Sequence, residues 1–106
     1  MSMDFNELVE FANSEHERLV NHFNTKDNPK TRYTMLAKLM EEMGELSEAI
    51  LKSDNLQRAD KEKIMGDINH EIADVILCSL VLARELGVDV EKALLEKIEK
   101  IKSRKY

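Results

Sequence analysis

Glu42 and Glu45 stand three residues apart, and Glu71 and Asp74 repeat that interval after 25 intervening residues. Side chains three apart on a helix are neighbours on one face. Two such pairs on adjacent antiparallel helices would bring four carboxylates together. Like charges at that range raise one another's pKa and oppose folding unless a cation is shared. Oxygen donors without a cysteine or a histidine pair select a hard ion, so Mg²⁺ is expected, with Mn²⁺ able to substitute, in preference to zinc.

The elements that must hold these residues are helices. Three glycines, one proline and almost no apolar alternation exclude a sheet protein. Helix one is expected from about Asp4 to Phe23, with Asp4 and Glu7 resembling a capping box. A polar loop follows from Asn24 to Lys30, where Asn28 before Pro29 suits a helix start. Helix two, roughly Thr31 to Lys52, carries Leu36, Leu39, Met40, Met43, Leu46 and Ile50 on one stripe and acids on the other side. After a polar turn from Ser53 to Asp60, helix three runs from about Lys61 to Leu86 and stops at Gly87. Asp89 then caps helix four, Val90 to about Arg104. Short connections between long helices predict an all-α, four-helix antiparallel bundle. Counting turns at ~1.5 Å per residue puts the two acidic pairs at similar height on helices two and three.

Asp74 is the most informative of the four. It sits within Ile72–Leu82, a run apolar nearly all round, so that helix is expected to be buried and its carboxylate to need a partner. Helix three has no lysine or arginine between Lys63 and Arg84. The plainer reading, a solvated face or salt bridges to Lys38 and Lys52, suits Glu41 and Glu48 better than Asp74. Met35, Met40, Met43 and Met65 read as gap-filling core.

The remaining composition narrows the class. A chain of 106 residues and 12.3 kDa has room for one domain, spanning 1–106. No charge-free stretch approaches the ~18 residues of a membrane helix, the longest being Val75 to Ala83. A net charge of −5 disfavours nucleic acid. Cys78 is the sole cysteine, which predicts no internal disulfide and a cytoplasmic setting. Basic residues gather at the carboxyl end, including Lys97, Lys100, Lys102, Arg104 and Lys105.

Glu41-Glu42-Met43-Gly44-Glu45 followed by Glu71-Ile72-Ala73-Asp74 resembles the EExxE…ExxD signature of MazG-like nucleoside triphosphate pyrophosphohydrolases. Glu45-Leu46-Ser47-Glu48-Ala49 and the Gly87-Val88-Asp89 break before a lysine-rich helix agree with it, so the likeness runs from about Thr31 to Tyr106. The resemblance implies Mg²⁺-dependent hydrolysis of a nucleoside triphosphate, ribo- or deoxy-, to the monophosphate and pyrophosphate, as nucleotide-pool house-cleaning. It implies Glu42, Glu45, Glu71 and Asp74 as metal ligands, with Glu45 or Glu41 accepting the proton of the attacking water.

It also implies phosphate contacts from Lys100 and Arg104, although Ile98 stands where members often carry an asparagine. Nucleobase contact falls to helix one and the loop after it, with His16, Phe23 and Tyr33 as candidates; His22 and His70 are assigned to the surface or to supporting positions. Wide apolar stripes predict self-association, and the family's habit makes a homotetramer, a dimer of dimers, the preferred assembly, with Lys100 and Arg104 serving a neighbouring subunit's site. The competing readings are a catalytically silent helical interaction module with a cation-binding acidic cluster, and the related phosphoribosyl-ATP pyrophosphohydrolase.

Overall fold

The computed structural model describes residues 1–53 and 58–106. It contains α1 (Phe5–His22), α2 (Thr31–Ser53), α3 (Arg58–Leu86) and α4 (Val90–Lys102), and no strand among the described residues. The ends form where local chemistry requires. The Asp4 carboxylate accepts the Glu7 amide at 2.8 Å, and the Asp89 carboxylate accepts that of Lys92 at 3.1 Å. Gly87 adopts φ +71°, the left-handed conformation that ends α3 at no Cβ penalty. The centre of the turn expected from Ser53 to Asp60, residues 54–57, lies outside the described residues.

Between α1 and α2 the chain turns through Asn24 and Asp27, both at positive φ. The buried Thr31 hydroxyl donates to the Thr25 carbonyl at 3.0 Å, fixing the loop against the start of α2.

α2 and α3 form the principal packed pair, and α1 lies on α3. Ala12, Val20, Met35 and Val81 make the core where these three helices meet, with Leu19, Leu80 and Leu82 packed against it. α4 has no packing of comparable extent, and every residue from Glu91 onward is exposed. The single chain therefore packs three helices, and α4 does not close the expected bundle of four.

Three sequence expectations are corrected. The apolar stripe of α2 is only partly covered: Leu39 and Leu46 are half-buried and Leu36, Met40, Met43 and Ile50 are exposed, while Met35, Glu42 and Ala49 are buried. Nor is α3 buried all round, since Met65, Ile72, Asp74 and Ile76 are exposed. Met35 is core, but Met40, Met43 and Met65 are surface. The cause is that a helix apolar on two sides has only one of them covered by its own chain, and the other stays exposed.

The dimensions agree. The Cα radius of gyration is 16.7 Å, against about 13 Å for a compact chain of this length. The accessible surface is 8713 Å², against about 6,100 Å² for a monomer of this mass.

Candidate metal centre

The α2–α3 hairpin brings Glu42, Glu45 and Glu71 together: one carboxylate oxygen of each lies within 4.8 Å of the others. Glu42 is 6% exposed, because it occupies the α2 face that packs on α3. Glu71 is half-buried opposite it, and Glu45, one turn along α2, is exposed.

One cation touches this group among the described residues. The Lys38 ammonium, one turn before Glu42 on α2, donates to Glu42 Oε1 at 3.0 Å and lies 3.9 Å from Glu41 Oε2. That bond holds the Glu42 carboxyl below the usual glutamate range and raises Lys38. Glu45 is pushed up by the negative charge of Glu42, and Glu71 is pushed up by burial and then by Glu45. One charge thus supports one acid, while the other two sit in a field that favours their protonated forms.

Glu42 Oε2 and Glu71 Oε2 are buried without a hydrogen-bond partner. Buried carboxylate oxygens are rarely left so, and each keeps its lone pairs unmatched in a cluster of acids. Closely spaced acid oxygens with unmatched lone pairs fit a hard divalent ion, which needs a few carboxylates and otherwise keeps waters or phosphate oxygens.

Asp74 lies one turn after Glu71 but falls outside the group of three and is exposed rather than buried. It lines a cavity of about 570 Å³ together with Lys38, Cys78, Phe11, Phe23 and Thr34. The cavity opens between α1, α2 and α3, so Lys38 belongs both to the carboxylates and to the cavity wall. Burial pushes the Cys78 thiol up, and the nearby Glu42 charge adds to it.

The other expected residues are dispersed. His16 is turned to α3, with Nε2 2.8 Å from Glu85 Oε1, and does not line the cavity. Phe23 does line it, whereas Tyr33 is exposed outside it. Glu41 is exposed beside Lys38. Lys100 and Arg104 are exposed on and just beyond α4, which the single chain does not bring to the carboxylates. Glu48 pairs with Lys52 at 2.8 Å, as the plainer reading expected.

Sequence reasoning treated Lys38 as a rival explanation for the acids; the structure seats its ammonium on one of the three clustered glutamates. Its position four residues before Glu42 was the available signal.

No described helix is long and apolar enough to cross a membrane. No curated protein and no solved structure matches the chain. Residues 30–106 match the family model of the MazG nucleotide pyrophosphohydrolase domain. That span holds α2, α3 and α4, including all three clustered glutamates, and the chain belongs to this family.

Proposed function

We propose that this chain is a Mg²⁺-dependent hydrolase that cleaves ribo- or deoxynucleoside triphosphates between the α and β phosphates. The products are the nucleoside monophosphate and pyrophosphate, and the duty is removal of surplus or unwanted nucleotides in the cytoplasm. The observation that carries the reading is the trio of Glu42, Glu45 and Glu71, with two buried oxygens unpartnered, beside a cavity of about 570 Å³. Such a volume is within the ~300–1,000 Å³ of small-molecule sites.

Glu42, Glu45 and Glu71 would hold the metal, with Asp74 reaching it as a fourth ligand from its exposed position. When bound, the ion offsets phosphate charge and lowers the pKa of a coordinated water. Glu45, or Glu41 four residues before it on α2, would take the proton from that water. The cavity wall supplies apolar contact for the nucleoside, with Phe11 and Phe23 as aromatic surfaces and Thr34 as a hydrogen-bonding group. Lys100 and Arg104 would reach phosphate oxygens from a second subunit of a homotetramer, because α4 packs little against its own chain among the described residues.

The test is incubation of the purified chain with Mg²⁺ and a panel of ribo- and deoxynucleoside triphosphates together with phosphoribosyl-ATP. Pyrophosphate release with the monophosphate is the expected outcome. Orthophosphate release would assign a phosphatase-type reaction, and no release from any member of the panel would leave the silent helical module. Turnover confined to phosphoribosyl-ATP would assign the related enzyme.

A further inference from the structure

Lys38 has two neighbourhoods. Its ammonium is bonded to Glu42 Oε1 at 3.0 Å, and the residue lines, with Asp74, the cavity between α1, α2 and α3. Its side chain is 56% exposed, so the long stem has room to turn from one to the other. Glu42, its partner, is the most buried of the three clustered acids, and its second oxygen is unpartnered.

A divalent ion held by Glu42, Glu45 and Glu71 would share the Glu42 carboxylate with an ammonium already seated on it. Two cations on one carboxylate repel, and the doubly charged one makes the stronger bond. Lys38 is then released beside a cavity whose wall it already lines. Resting on the metal-binding role given to the three glutamates, we infer that Lys38 is a built-in counter-ion that competes with the metal for Glu42 and, once displaced, turns into the cavity to hold the phosphate chain of the substrate. It is a positioning residue for the acids and a binding residue for the substrate, in sequence.

The proposal requires effects of opposite sign from one substitution. Removing the ammonium removes the metal's competitor and also removes a phosphate contact. Lys38→Gln is expected to bind Mn²⁺ alone about tenfold more tightly than the unaltered chain, the scale of one charge-assisted hydrogen bond. The Mn²⁺-loaded variant is expected to bind inorganic tripolyphosphate about tenfold more weakly. Lys38→Arg, which keeps the charge, restores tripolyphosphate binding.

Calorimetry with Mn²⁺, then with tripolyphosphate at saturating Mn²⁺, reads both quantities without turnover, and circular dichroism checks that the exposed substitution leaves the helices intact. If Lys38→Gln weakens Mn²⁺ binding or leaves it unchanged, the lysine is a fixed support for Glu42 and the competition is wrong. If tripolyphosphate binding is unchanged, the phosphate role is wrong. If the unaltered chain fails to bind Mn²⁺ at all, the metal reading itself falls, an outcome distinct from failure of the Lys38 role.

Discussion

His16 Nε2 and Glu85 Oε1 lie 2.8 Å apart, joining the middle of α1 to the last turn of α3. Both side chains are 17% exposed, so the bond is partly shielded from water and neither group faces the nucleotide-sized cavity. His16→Ala is therefore expected to lower the unfolding free energy by about 1 kcal/mol, the ordinary value of one side-chain hydrogen bond. The KM for the preferred nucleotide should not move. Urea unfolding with steady-state kinetics reads both, and a raised KM at unchanged stability would return His16 to the substrate site.

The three glutamates should respond differently to removal of charge. Glu42 is stabilised by Lys38, whereas Glu45 is opposed by Glu42. Glu42→Gln should lower metal-free melting temperature, and Glu45→Gln should raise it, with helical content kept in both. Mn²⁺ affinity should fall in both. For Glu42→Gln the loss should exceed the ~10–100-fold seen when a residue that only supports a metal ligand is removed. Asp74→Asn should lose less, because Asp74 is exposed and outside the clustered trio. Equal losses at Asp74 and Glu42 would place the aspartate in the coordination cage on the same footing as the glutamates.

Much of this arrangement was legible because it is set by neighbours in sequence. Asp4 and Asp89 cap their helices, Gly87 ends α3, and turn-counting along the hairpin puts Glu42, Glu45 and Glu71 at one height. Asp74 was harder to place, since a stretch apolar all round looks the same whether its second face is covered by its own chain or by another. The stripe on α2 misled for the same reason: Leu36, Met40 and Met43 were as apolar as the face that packs, and only the α3 partner shows that Glu42 turns inward. The position of α4 rests on few contacts with its own chain, so nothing in the chain's local pattern could fix it.

Acidification should act on the metal-bound and metal-free protein in opposite directions. Glu45 and Glu71 have pKa values raised in the fold, so they take up protons at a higher pH than ordinary glutamates. Bound protons exclude the metal, and Mn²⁺ affinity should fall across the pH window just above the ordinary glutamate range. In the metal-free chain a raised carboxylate pKa means that the folded state holds protons more tightly than the unfolded one. The contribution of these two residues to stability therefore rises as pH falls through that window. Glu42, with its lowered pKa, loses its contribution only at more acid pH, as the carboxyl is protonated in the fold. Calorimetric Mn²⁺ titrations and melts in chelator across this range test the pair of trends; parallel behaviour would contradict the charge pattern.

The exposed apolar faces predict the assembly. The chain shows roughly 2,600 Å² more surface than the ~6,100 Å² expected of a monomer of its mass, and a standard interface takes about 800 Å² per partner. That excess is enough for more than one interface, which favours a tetramer over a dimer. Leu94, Leu95, Ile98 and Ile101 on α4 are exposed together, as are Met40 and Met43 on α2 and Ile72 and Ile76 on α3. Light scattering should give a mass near four times 12.3 kDa. Ile98→Glu buries a charge in that contact and should yield smaller species. Since Lys100 follows Ile98 on the same helix, loss of assembly should also raise the nucleotide KM while Mn²⁺ affinity stays unchanged. A chain that remains monomeric yet turns over substrate at full rate would overturn both the tetramer and the sharing of α4 cations between subunits.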